Sequence, residues 1–252
     1  MSWCDKLAST PTVGFRLEPH IASGDAIVDS LSPILGRMVD GEKLLFEIEK
    51  HETLGISLIT HNGFRYAVDQ GHIHIAFNHR LRAVPVSGGL PTLEMLSQAQ
   101  PYSKLLPETF ERLIEATSLL PNIRNRTLNR VGAVSSTLVT EEDLPPGIQQ
   151  AIKYLGRPWG NAPEHFTFSG NYVLDDQEEW TDKCSHTISR NGDNEGLLQI
   201  TFDWGRHFKK PRQASLAHLK HACAEAEKKS LSYLEEIAEG IRFDENLNSS
   251  SV

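Results

Sequence analysis

The sequence predicts an α+β protein made of two related lobes of antiparallel sheet with packed helices and a long C-terminal helix. Three observations carry this prediction. Short runs of β-branched and aromatic residues, separated by turn residues, fill 43–77 and 166–204. Apolar residues three and four apart, several opened by proline, mark helices between and after those runs. The order strand, helix, several antiparallel strands, closing helix occurs at 13–120 and again at 128–240. The lobes are placed at 1–122 and 123–245, with a polar tail at 246–252. A single α+β domain with one larger sheet is the alternative.

In order along the chain, Val13 to Ile21 reads as a strand. Asp25 to Met38 has helical spacing interrupted by Pro33, which removes a backbone donor. Lys43 to Glu49, Leu54 to Thr60, Phe64 to Val68 and His72 to Phe77 form a meander, with Asn62-Gly63 as its hairpin signal. After a loop at Gly88-Gly89, Pro91 opens a helix over Leu93 to Ala99 and Pro107 opens another over Glu108 to Leu119, which Pro121 ends. The second half reads as a strand (Leu128 to Val139), a helix (Leu144 to Leu155), and strands at Phe166 to Leu174, Cys184 to Arg190 and Leu197 to Trp204. Asn191 to Asn194 is the loop before the last of these. The closing helix spans about Gln213 to Glu239.

Composition bounds the function. The 252 residues are 39% hydrophobic and 23% charged with net charge −8, which excludes wholesale disorder. Apolar runs fall far short of the ~20 residues that cross a bilayer, and the first residues carry no signal-peptide core, so a cytoplasmic location is expected. Cys4, Cys184 and Cys223 are isolated and odd in number, which points to reduced thiols. No phosphate-cradling loop, dinucleotide fingerprint or nucleophile elbow is present, so neither a cofactor nor catalytic residues are assigned.

Two histidine pairs are candidates for metal chemistry. His72 and His74 flank Ile73 and share one strand face, as two ligands of a hydrolase or nuclease metal would. A catalytic site needs a third ligand, and spacing does not supply one. Two solvent-facing histidines are the simpler reading. His218 and His221 share a helix face but lack the glutamate of a metalloprotease motif. The acids Asp175, Asp176, Glu178 and Glu179 read as a solvated loop.

Charge segregation is more informative. Gln70 to Pro91, Ala116 to Thr140 and Trp204 to Ala224 contain no Asp or Glu. Arg206, Lys209, Lys210 and Arg212 form the densest basic cluster, leading toward a helix, and are the first candidates for an anion or partner. Arg126 and Arg130 are the second, since alternation places them on one strand face. Pairing with the chain's own acids is the competing role for the cluster. Charge reversal at Lys209 and Lys210 is therefore expected to weaken partner binding. On the closing helix, Leu216, Leu219, Cys223, Ala226, Ser230, Tyr233, Ile237 and Ile241 form a heptad-like seam. It packs on the chain's own sheet or joins a second copy as a homodimer.

Arg126-Thr127-Leu128-Asn129-Arg130-Val131-Gly132 opens a strand after a helix and loop, and the chain closes with a hairpin and a long helix. In this it resembles a sporadically distributed prokaryotic family of uncharacterised two-lobed α+β proteins found near mobile or defence genes. It departs from that family's pattern at Ala133-Val134-Ser135-Ser136. The resemblance implies a non-catalytic binding or assembly component of a prokaryotic multi-protein system, with a protein partner. The alternatives are the metal-dependent hydrolase at His72 and His74 and a nucleic-acid-binding regulator acting through residues 206–212.

Overall fold

The computed structural model describes residues 2–19, 46–52, 55–69, 71–85, 92–120, 122–156, 165–190 and 197–240. A short helix α1 (Cys4–Leu7) precedes β1 (Thr10–Glu18). A meander follows: β2 (Phe46–Glu52), β3 (Gly55–Thr60), β4 (Phe64–Asp69) and β5 (His72–Phe77). A hairpin of β6 (Leu81–Val84) and β7 (Thr92–Met95) then leads to α2 (Tyr102–Ser118). The second half holds β8 (Thr127–Thr140), α3 (Pro146–Gly156), β9 (Phe166–Asp176), β10 (Trp180–Arg190), β11 (Leu197–Gln213) and α4 (Leu216–Glu239).

Among the described residues one antiparallel sheet of nine strands runs through both halves in the order β2-β3-β4-β5-β1-β8-β11-β10-β9, and β6-β7 form a separate small sheet. Alternation explains its two faces. In β1, Val13, Phe15 and Leu17 are buried while Arg16 is exposed. In β11, Leu198, Ile200, Phe202 and Trp204 are buried. These residues face the helices. α2 packs on β1 and β5, and α4 packs on β8, β11, α2 and α3. Among the described residues one hydrophobic core draws on both halves, from Cys4 to Ala238.

The Asn62-Gly63 turn forms as expected. Gly63 has φ 97° and its N–H donates to Thr60 O at 3.0 Å. The closing helix is capped at both ends: Ser215 Oγ accepts from the His218 N–H, and Gly240 ends the helix at φ 79°. Its seam lies in the chain's own core, with Leu219, Cys223, Ala226, Ser230, Tyr233 and Ile237 all buried. All three cysteines are free and buried. The expected helix over 25–38, the Gly88-Gly89 and Asn191–Asn194 loops and the tail lie outside the described residues.

Two helix expectations are corrected. Residues 92–95 form β7, not the start of a helix, because Leu93 and Met95 alternate with Thr92 and Glu94 and pair with Ala83 and Leu81 of β6. The next helix begins at Tyr102, so Pro107 lies inside it rather than opening it. Proline costs such a helix ~3 kcal/mol. Tyr102, Leu105 and Leu106, all buried on its N-terminal side, offset that, at roughly 1.5–3 kcal/mol for each buried apolar side chain.

The start of α3 and the end of α4 meet through two glycines. A Cβ on Gly147 would lie 2.6 Å from Gly240 Cα and 2.6 Å from Ile237 O, both backbone atoms. Gly147→Ala is expected to lower stability by about 1–3 kcal/mol, as overpacking does. Urea denaturation of the variant checks this, and an unchanged midpoint would show that the two helices separate freely.

Candidate anion-binding site on the open sheet face

Most side chains on the face of the sheet opposite the helices are polar, with Val134 and Leu138 of β8 and Val173 of β9 among the exceptions. Ser57, Ile59 and Ala67 are buried at the β3–β4 end, so the accessible part runs from β5 to β9. Register aligns its residues in rows across the strands. Gly14 of β1 pairs with His74 of β5 and with Gly132 of β8. Gly132 pairs with Gly205 of β11, and Gly205 with Lys183 of β10. Three central strands thus have no side chain at this level, which leaves a low floor.

The adjacent row carries charge. His72 pairs with Arg16, Arg16 with Arg130, and Arg130 with His207. At ~4.8 Å per strand these four positions span ~14 Å. Lys183 stands beside them at the end of the glycine row. Arg130 lies flat over the floor: a Cβ on Gly205 would sit 2.7 Å from its Nε. Its Nη2 donates to Asp203 Oδ1 at 2.9 Å, while its buried Nε has no partner among the described residues. No ion pair of Arg16 or Lys183 occurs among the described residues.

A hollow of about 380 Å³ opens at the Lys183 end, lined by Arg130, Asn171, Lys183, Ser185, Asp203 and His207 among others. Burial holds the His207 pKa below its ordinary 6.5, and Arg130, Lys183 and Arg16 push it the same way against Asp203. The imidazole is therefore neutral at pH 7. Its contribution to stability is complete above the unfolded value of 6.5 and is lost as pH falls through the lower folded value.

The other candidate residues are placed as follows. The 206–212 segment is not a linker into a helix but the last part of β11. Arg206 faces the helix side, where Nε and Nη2 bond both Asp182 oxygens at 2.7 and 2.8 Å and the guanidinium lies 3.8 Å from the Trp180 ring centre. Lys209 pairs with Asp176 at 2.6 Å, Lys210 with Glu178 at 2.7 Å, and Arg212 with Glu179. Asp176, Glu178 and Glu179, expected in a solvated loop, are thus the partners of the basic segment, at the end of β9 and on the turn that follows. Lys209 in turn holds the Asp176 carboxyl below the usual range.

Arg126 and Arg130 do not share a face. The pairing of β8 with β1 slips by one residue between Arg130 and Leu128, a bulge that reverses the alternation. Leu128 is buried on the core side and Arg130 stands on the open side. Arg126 lies before the strand and donates to the Pro19 carbonyl. His72 and His74 do share the open face. His72 Nδ1 is 3.0 Å from Asp69 Oδ1, and burial lowers the His74 pKa. Among the described residues no three His, Cys, Asp or Glu side chains gather as a metal site would require.

No protein-family model, curated protein or solved structure matches the chain. Among the described residues, no helix is long and apolar enough to cross a membrane.

Sequence reasoning singled out Arg130 but missed Arg16 and Lys183, and it counted His207 only as part of the basic segment. Arg16 and Lys183 are single basic residues in ordinary alternating strands. Alternation does separate His207 from Arg206, but only register across four strands brings these residues to one place.

Proposed function

We propose that this protein is a non-catalytic binding component that holds a phosphate-bearing ligand against the open face of its sheet. The observation that carries this reading is the group of Arg16 and Arg130 in one row and Lys183 at the end of the next, around a glycine floor. Ser185, Asn171, Ser136 and Thr201 stand on the same face, and such groups bond phosphate oxygens in backbone recognition. The open-face positions of β1, β8, β9, β10 and β11 carry no Phe, Tyr or Trp. Base stacking is thus not part of the reading, and a polynucleotide would be held by its backbone, independent of sequence. Free nucleotides and polynucleotides share this phosphate chemistry.

The test is a titration with a labelled single-stranded oligonucleotide, beside calorimetry with inorganic pyrophosphate, at 50 to 200 mM salt. With three cations engaged, log affinity for the strand should fall against log salt with a slope of about −2. Pyrophosphate binding alone would point to a small ligand. Neither probe binding at low salt would overturn the proposal.

A bound phosphate dianion beside His207 stabilises its protonated form. Binding should therefore take up a proton and tighten as pH falls below 7 toward the lowered pKa of this imidazole. His207→Gln should flatten that dependence. A pH-independent affinity in the parent protein would place the ligand away from His207.

A second reading, a protein partner, rests on the β6–β7 hairpin. Leu81, Ala83, Leu93 and Met95 share one face of it, and Leu93 is 71% exposed. Such a face marks contact surfaces. A partner captured by the parent protein should be lost with Leu81→Asp/Leu93→Asp, and retention by that variant would exclude the hairpin.

We also infer that the halves are related by duplication. β5 returns to pair with β1, and β11 returns to pair with β8. β1 and β8 pair antiparallel about Gly14 and Gly132, where a two-fold axis would pass. Superposing 10–118 on 127–239 tests this, and mismatched strand order or helix placement would refute it.

A further inference from the structure

We propose that β9 is a self-pairing edge, through which a second copy of this chain joins antiparallel about Gly170 and continues the sheet. Among the described residues β9 pairs only with β10, so the outer N–H and C=O groups of an eleven-residue strand are open. Proteins normally guard such an edge with charge, proline, shortness or a bulge. Residues 167–173, Thr-Phe-Ser-Gly-Asn-Tyr-Val, hold no charge and no proline. The bulge in β9 comes only after Val173, at Leu174. Val173 is 63% exposed and Tyr172 40%.

The segment is complementary to itself. With Gly170 opposite the partner's Gly170, Phe168 faces the partner's Tyr172, Ser169 faces the partner's Asn171, and Thr167 faces the partner's Val173. Each pair shares a face, because residues opposite one another in antiparallel strands point the same way. The aromatic pairs fall on the helix side and the polar pairs on the open side. No like charges meet over 167–173. Tyr172 is already held in place: its ring covers Gly170 on its own strand and stacks on His186 with centroids 5.2 Å apart. A larger residue at 170 would displace it. This self-complementarity favours a second copy over an unrelated extended peptide.

The pairing also bears on the open face. Asn171 and Val173 line the hollow, so the partner's Ser169 and the partner's Thr167 would extend its wall. The two hollows would flank the dyad, with β10 and its counterpart three strand spacings, ~14 Å, apart.

The test is the mass of the protein in solution by light scattering over a range of concentrations. The parent chain should be a dimer. Thr167→Lys/Val173→Lys sets lysine against lysine at two exposed positions and should yield a monomer with an unchanged circular dichroism spectrum, with Tm lowered only by the repulsion between residue 173 and Lys183 opposite it on β10. In Thr167→Cys/Val173→Cys, oxidation should give a covalent dimer across the dyad. A parent protein that stays monomeric at all concentrations overturns the proposal. So does a dimer that survives the lysine pair, since its contact would lie elsewhere. Both readouts are independent of phosphate binding.

Discussion

Arg206→Leu is expected to destabilise the protein by about 3–5 kcal/mol, the cost of leaving one member of a buried ion pair alone. Asp182 is 1% exposed and Arg206 5% exposed, and the two meet through two short hydrogen bonds. Without the guanidinium, the carboxylate keeps the desolvation but loses its counter-charge. Arg206 also lies against Trp180, so packing is lost as well. For a chain of this size the Tm should drop by roughly 6–20 °C. Arg206→Leu/Asp182→Leu should recover a large part, because the uncompensated charge is then gone. Thermal and urea unfolding of the two single variants and the double variant measure the coupling. An Arg206→Leu variant as stable as the parent would mean that water reaches Asp182. Phosphate binding by the folded fraction should persist, since Arg206 is on the opposite face from the hollow.

Arg16→Glu/Lys183→Glu is expected to weaken phosphate binding at least 100-fold while leaving Tm nearly unchanged. A hydrogen bond to a charged group contributes ~1.5–3 kcal/mol, and 1.4 kcal/mol corresponds to tenfold in affinity. Both residues are exposed, so reversing them leaves packing intact. Lys209→Glu/Lys210→Glu is the contrasting variant. Those lysines already pair with Asp176 and Glu178 in solvent, where water and salt screen such pairs to little net effect. Their reversal should change affinity by less than about threefold, in the range of a screened distant charge. If instead the Lys209 and Lys210 variant loses binding and the Arg16 and Lys183 variant keeps it, the ligand site is the end of β11 and the open-face assignment fails.

Most strands were legible in the sequence because alternation and turn chemistry are local. Gly63 supplies the positive φ that its hairpin turn needs, and Val13, Phe15 and Leu17 declare the buried face of β1. The closing helix was legible for the same reason, with Ser215 and Gly240 at its ends. Local rules failed where tertiary contact outweighed them. Pro107 marks a helix start by propensity, yet three buried side chains carry the helix a turn further back. Thr92-Leu93-Glu94-Met95 is too short to tell strand from helix until β6 lies beside it.

The candidate site was legible only as a list of basic residues. Local order put Arg206, Lys209, Lys210 and Arg212 together, and nothing local showed that Asp182, Asp176, Glu178 and Glu179 would meet them across a hairpin. A one-residue bulge, invisible in composition, separated Arg126 from Arg130.

The sequence by itself determined the class of fold, most strand and helix positions, and which face of each element is apolar, because these follow from periods of two and 3.6 and from turn and cap residues. Only the tertiary structure decided that the halves share one sheet, which basic residues are neutralised, and that Arg16, Arg130, Lys183 and His207 gather around Gly14, Gly132 and Gly205. Strand order and register set those neighbours. Both depend on pairing between segments more than a hundred residues apart, such as Arg16 and Arg130, and no local preference of either segment encodes that pairing.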